Sequence, residues 1–202
     1  YTMKRITLIL IFISSILMAQ NFTTIDLGTK MPLMGQKLLN IDNKLYSLND
    51  LKRKNGTLII FSSHTCPFVV MWEDRYQMLE KISDENNIGM IYINSNHMRR
   101  DGDDSFKMMQ KHAAKMNYSV PYLLDEKSLL ANKFGAKTTP HVFLFNSNNK
   151  LIYLGAIDDN YNSFEEVTEN YVQDAIYEMI NKKNITTPKT KAIGCSIKRK
   201  AN

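Results

Sequence analysis

Apolar residues along this chain fall into short runs set between polar stretches, and the spacing inside each run predicts the element it forms. Leu38 to Leu48 alternates around Asp42, Asn43 and Lys44, which predicts a hairpin of two edge strands. Thr57 to Phe61 (TLIIF) is a continuous run of the kind found in strands buried on both faces, and Ile88 to Asn94 (IGMIYIN) is another. Between them Pro67 opens a segment with apolar residues at Val69, Val70, Trp72, Tyr76, Leu79 and Ile82, which follows a helical period. Proline suits a first helical turn, because its missing N–H would lack an intrahelical partner there anyway.

Ser105 to Met116 predicts a helix capped from Asp103, Asp104 or Ser105, and Tyr118 to Leu124 a short strand. Glu126 to Phe134 reads as a helix stopped by Gly135, and Val142 to Phe145 with Leu151 to Ile157 flank an Asn146 to Lys150 turn in a second hairpin. Ser163 and Glu166 form a capping-box pattern ahead of Phe164, Val167, Tyr171, Ile176, Met179 and Ile180, which predicts a long closing amphipathic helix. Beyond Asn181 neither period survives, so residues 182–202 read as a basic, solvated tail. The alternation of strands and helices is that of an α/β domain, and 202 residues suit one such domain, 20–181, with extras at each end.

The first 19 residues have a different character. Lys4 and Arg5 precede a largely apolar run from Ile6 to Met18, closed by Ala19, which is the layout of a secretory signal peptide. That run is 13 residues long, whereas a membrane-spanning helix needs about 20. Export to a periplasmic or extracellular bacterial location is expected, with no stable membrane insertion after signal removal; Tyr1 and Thr2 ahead of Met3 read as artefactual. The formal charge of +6 is carried by the ends: residues 20–181 hold 17 Lys and Arg against 20 Asp and Glu, about −3. A domain of that balance is not a nucleic-acid binder.

Cys66 and Cys195 are the only cysteines, too few for a disulfide-rich scaffold but enough for one bond in an oxidising compartment. Cys66 stands at the mouth of the helix opened by Pro67, where free N–H groups and about half a positive charge favour a thiolate, the reactive form.

The runs F-S-S-H-T-C-P and T-T-P-H-V-F-L-F together resemble the thioredoxin superfamily. The resemblance implies a central mixed β-sheet flanked by helices, here with an N-terminal hairpin extension, Cys66 as the reactive cysteine and Pro140 as a cis-proline. It also implies a substrate groove lined by Thr139, Pro140, Pro67 and Thr65, with the Thr139 backbone pairing a substrate chain. The segments C-P-F-V-V-M-W-E-D-R-Y, I-Y-I-N-S-N, P-Y-L-L-D-E, G-A-I-D-D-N and G-C-S-I-K are similar to bacterial peroxiredoxin-like proteins of the redoxin group, over about Phe22 to Lys198. Phe61 stands five residues before Cys66, as before the first cysteine of C-x-x-C reductases, but Val69 occupies the second position. Against the peroxidatic pattern P-x-x-x-T/S-x-x-C, Ser63 fills the hydroxyl place while Ile59 replaces the proline.

These features imply an exported thiol-disulfide oxidoreductase with Cys66 as nucleophile, no organic cofactor and no metal. Its partners would be an external thiol or disulfide reductant or a substrate protein, with peroxide as the alternative oxidant. Cys195 is open to three readings: a resolving thiol, half of a structural disulfide, or unpaired. The alternative function is a non-catalytic binding module, a partner or copper carrier, with a permanent Cys66 to Cys195 bond. His64, with His97, His141 and Met98, suggests a metal only faintly, and a loop histidine facing the site is the plainer reading. Glu73 and Arg75 are second-tier candidates for proton transfer and charge, beside the plainer reading of ion pairs on a solvated helix face. Asp101, Asp103 and Asp104 read as helix capping rather than a calcium loop.

Overall fold

The computed structural model describes residues 22–199. Strands β1 (Leu38–Asn40) and β2 (Leu45–Tyr46) form the expected opening hairpin, with Asn43 at φ 65° and Asp42 Oδ1 accepting the Lys44 N–H at 2.9 Å. The hairpin stops short of Leu48 because Ser47 and Asp50 make a reciprocal capping box that starts a one-turn helix, α1 (Leu48–Leu51). Strand β3 (Gly56–Phe61) leads into α2 (Pro67–Glu85), followed by β4 (Ile88–Asn94), α3 (Phe106–Lys115) and β5 (Tyr122–Leu124). Helix α4 (Leu129–Phe134), the short β6 (Thr138–Thr139), β7 (His141–Asn146), β8 (Leu151–Gly155), α5 (Tyr171–Ile180) and β9 (Cys195–Ser196) complete the chain.

The strands run β2-β1-β5-β4 and β3-β7-β8, with β4 and β5 parallel and the other pairs antiparallel. β3 lies beside β4, and just past its end the Ser62 N–H donates to Ile93 O at 2.8 Å. This is the expected central mixed sheet flanked by helices. Because side chains alternate along a strand, β3 sends Leu58 and Ile60 to one face and Ile59 and Phe61 to the other. On the first face they meet Val69, Trp72, Tyr76 and Leu79 of α2 and Val172 and Ile176 of α5. On the second they meet Leu130 and Phe134 of α4, with Met31 and Leu48.

Three expectations are corrected. The predicted helix over 126–134 is broken: Lys127 and Ser128 have φ of 57° and 56°, and Asp125 accepts the N–H groups of Leu130 and Ala131 at 2.9 and 3.0 Å, so α4 starts at Leu129. The Ser163 to Glu166 capping box does not form. Asp159 instead accepts the Thr168 and Glu169 N–H groups at 3.0 and 3.1 Å, holding an irregular loop until α5 starts at Tyr171 with no side-chain cap. The tail is no solvated arm either: Thr190 N–H donates to Leu154 O at 3.0 Å, Ile197 is 6% exposed, and β9 pairs with β6. The signal-peptide expectation, 1–19, falls outside the described residues.

Candidate active site

The loop between β3 and α2 is built around a buried carboxylate. Asp104, fully buried ahead of α3, accepts from Ser63 Oγ (2.9 Å), Thr65 Oγ1 (2.9 Å), Asn94 Nδ2 (2.8 Å) and Asn96 Nδ2 (2.9 Å). Arg100 closes the cluster from behind, donating to the Asp104 and Asn94 carbonyls at 2.8 and 3.1 Å. Ser62 Oγ lies 3.0 Å from the Tyr76 hydroxyl, so the loop is fixed to α2 as well. The chain then turns through the Cys66 N–H to Ser63 O bond of 3.0 Å into α2, with Cys66 as N-cap and Pro67 in the first turn.

Cys66 is 3% exposed, packed in the core that backs α2 rather than open at the helix mouth. Cys195 Sγ lies 2.7 Å from its sulfur; neither sulfur is in a disulfide. Cys66 Sγ also lies 2.9 Å from Thr139 O, and the Thr139–Pro140 peptide bond is cis, as expected. β6 and β9 are antiparallel, with Thr139 opposite Cys195 and Thr138 opposite Ser196. Burial, then the hydrogen bond to Cys66 and the charge there, push the Cys195 thiol up to about 11, against a hydrogen bond from the Phe68 backbone and the nearby Lys198. Cys195 therefore keeps its proton over the physiological range.

The remaining candidates divide. Thr139 O lies beside Cys66 Sγ and next to the cis-proline Pro140, Pro67 opens α2 directly after Cys66, and Thr65 is held on Asp104. His64 turns away from the pair, bonding Asp103 O at 2.7 Å through Nε2 and stacking on His112 at 5.1 Å; burial lowers its pKa. Glu73 and Arg75 do not lie on a solvated face. Glu73, 5% exposed, accepts hydrogen bonds from His112 and Tyr118 through one oxygen. Arg75, 2% exposed, donates to Asp158 Oδ2 at 3.1 Å and Asn160 O at 2.6 Å, and so fastens α2 to the loop after β8. Trp72 Nε1 joins it on Asp158 at 2.6 Å. Nothing in the residue pattern gives Asp104, Asn94, Asn96 and Arg100 a place in the site; the asparagines of I-Y-I-N-S-N, at and just past the end of β4, are the available signal. Among the described residues no group of three or more His, Cys, Asp or Glu side chains is arranged to hold a metal ion.

A buried cysteine at a helix N-terminus, set against a cis-proline, is the arrangement of the thioredoxin fold, and the Redoxin family model matches residues 26–171. The chain belongs to the redoxin family. Among solved structures, this redoxin is similar to an uncharacterized conserved protein from Geobacillus kaustophilus, with 30% identity, a TM-score of 0.81, and coverage of 88% of this chain and 94% of the other. A hypothetical protein from Sinorhizobium meliloti is 26% identical, with a TM-score of 0.81 and coverage of 89% and 98%. A putative thiol:disulfide interchange protein DsbE from Chlorobium tepidum, 15% identical with a TM-score of 0.58 and coverage of 79% and 98%, shares the fold. No curated protein matches the chain. The protein is a thioredoxin-like redox protein.

Proposed function

We propose that this redoxin is an exported thiol-disulfide oxidoreductase whose working unit is the Cys66 and Cys195 pair. The observation that carries this reading is the approach of the two sulfurs to 2.7 Å beside Thr139 and the cis-proline, although 129 residues separate them in the chain. Cys66 is the nucleophile. As a thiolate it attacks one sulfur of an external disulfide, whose S–S bond breaks and releases a thiolate. Cys195, giving its proton to solvent, then attacks Cys66 of the mixed disulfide, closes the internal bond and expels the second thiolate. An external dithiol reverses the sequence.

Disulfide exchange is favoured over peroxide reduction because the guanidiniums near the site are engaged elsewhere, Arg75 with Asp158 and Arg100 with Asn94 and the Asp104 carbonyl. The test is mass spectrometry of reduced wild type, Cys66→Ser and Cys195→Ser after a disulfide oxidant. Wild type should lose two hydrogens reversibly, while Cys195→Ser should stop at an adduct on Cys66. An unmodified Cys66 in Cys195→Ser would refute the role.

The burial of Cys66 favours one rival, a permanent staple in a binding module. A staple resists mild dithiol reductants that would open a working bond, so the midpoint of dithiol titration separates the two.

A further inference from the structure

Residues 188–199 form a strap fastened on both sides of Cys195. Upstream, Leu154 N–H donates to Pro188 O at 3.1 Å, and Thr190 Oγ1 bonds the Tyr153 hydroxyl at 2.8 Å and accepts the Ala156 N–H at 2.9 Å. Downstream, Ile197 N–H donates to Lys137 O at 3.1 Å, Lys198 N–H to Asn96 Oδ1 at 2.9 Å, and Met98 N–H to Lys198 O at 2.9 Å. Two glycines permit the seating. A Cβ on Gly194 would stand 2.1 Å from Thr139 O, and one on Gly155 would stand 2.0 Å from Thr190 Oγ1, distances that no side chain tolerates.

The position of the strap decides what can reach the sulfurs. Among the described residues β6 pairs with β9 and no other strand, so β9 occupies the β6 backbone edge beside Cys66. An extended polypeptide bringing a disulfide to Cys66 needs such an edge, and it needs the space that Gly194 and Cys195 fill. A small disulfide has no backbone to pair and needs only the partly exposed Cys195 side chain, not β9 as a whole, to shift from Cys66.

We propose that the strap is a built-in occupant of this edge, so that the protein exchanges with small disulfides and excludes polypeptide disulfides, with Gly194 as the residue that sets the selectivity. The proposal rests on the thiol-exchange reading. The exchange itself balances: the small disulfide is reduced to two thiols, and the two protein thiols become the Cys66 to Cys195 bond.

The test compares the oxidation rate of the reduced protein by hydroxyethyl disulfide and by insulin, at equal disulfide concentration. Wild type should react about tenfold or more faster with hydroxyethyl disulfide, and Gly194→Ala, which wedges β9 away from Thr139, should narrow that ratio about fivefold. In a Cys195→Ser background, Gly194→Ala should also raise iodoacetamide labelling of Cys66 several-fold, with thermal melts showing that both proteins stay folded. Equal wild-type rates with the two oxidants overturn the strap alone, and need no variant. Unchanged selectivity and unchanged labelling in folded Gly194→Ala overturn it too. Absence of exchange with either oxidant overturns the oxidoreductase reading, and the selectivity with it.

Discussion

Replacing Asp104 by alanine tests whether a buried carboxylate holds the reactive loop in place. Four side-chain donors converge on it at 2.8 to 2.9 Å, and none of its surface reaches solvent. Hydrogen bonds to a charged group are worth about 1.5–3 kcal/mol each, so a naive sum approaches 10 kcal/mol. The sum overcounts, because Ser63 and Thr65 lie 2.9 Å apart and can satisfy one another once the carboxylate is gone. Asn94 and Asn96 are left with buried amide donors costing about 1–3 kcal/mol each, which sets the expected loss at about 3–5 kcal/mol. With a urea slope of about 2 kcal/mol/M, the midpoint should fall by roughly 2 M. Asp104→Asn keeps one acceptor oxygen and should lose about half as much. Closure of the Cys66 to Cys195 bond should slow in both variants, since the loop that aims Cys66 has lost its anchor. A loss below about 1 kcal/mol for the alanine variant would refute the reasoning, because it would mean that the four donors find other partners at no cost.

Oxidation of the pair closes a loop of 129 residues, worth about 5 kcal/mol in the chain-entropy model, so the oxidised protein should melt roughly 10 °C or more above the reduced one; equal melting would show that the bond does not form. Glu73→Gln weakens the bonds from His112 and Tyr118 in a site only 5% exposed, and should cost about 2 kcal/mol by urea denaturation, whereas a change within about 0.5 kcal/mol would return Glu73 to a solvated role. His141 is buried with its Nδ1 accepting the Lys137 N–H, and burial, aided by the Lys137 and Arg199 charges, holds its pKa down to about 3. The unfolded chain therefore takes up a proton near pH 6.5 that the folded protein refuses until about pH 3, so stability is full above about 6.5 and falls as the pH drops through that window. His141→Gln should flatten the decline between pH 6 and 4 by about one proton's slope, and parallel profiles for the two proteins would contradict it.

What was legible in the sequence was local or periodic. TLIIF and IGMIYIN are buried strands because continuous apolar runs have no polar face to offer water, and β3 and β4 lie side by side at the centre. Pro67 marked the start of α2, and Gly135 at φ 61° the end of α4. The resemblance carried by the runs around Cys66 and Pro140 also implied that they would meet, and Cys66 Sγ lies 2.9 Å from Thr139 O. Burial of Glu73 and Arg75 was less legible, since a charged residue on an amphipathic helix is solvated by default. Here each is drawn inward by partners far along the chain, Tyr118 and Asp158, which no helical period reveals. The failed Ser163 to Glu166 box shows the same limit. The residues for a cap are present, but Asn160 takes the Ser163 N–H and donates to the Glu166 carboxylate, and Ser163 Oγ donates to Glu165 instead.

The tail is the instructive miss, because its signal was present and too short to read. Ile193, Cys195 and Ile197 alternate with Gly194 and Ser196, a strand period only five residues long inside a stretch of Lys, Thr and Pro. Its partner, β6, is two residues long and next to a proline, so neither strand has a propensity that predicts the other. The pairing is settled instead by close approach, at Gly194 over Thr139 and at Gly155 over Thr190. The burial of Cys66 follows from the same contact. Its sulfur lies within the apolar core cluster on one side and 2.7 Å from Cys195 Sγ on the other, so the seating of β9 is what brings the second thiol to the nucleophile. If the docking of residues 188–199 governs access to Cys66, Gly194→Ala should change strap seating and Cys66 labelling together, and a variant that changes one without the other would show them to be separable.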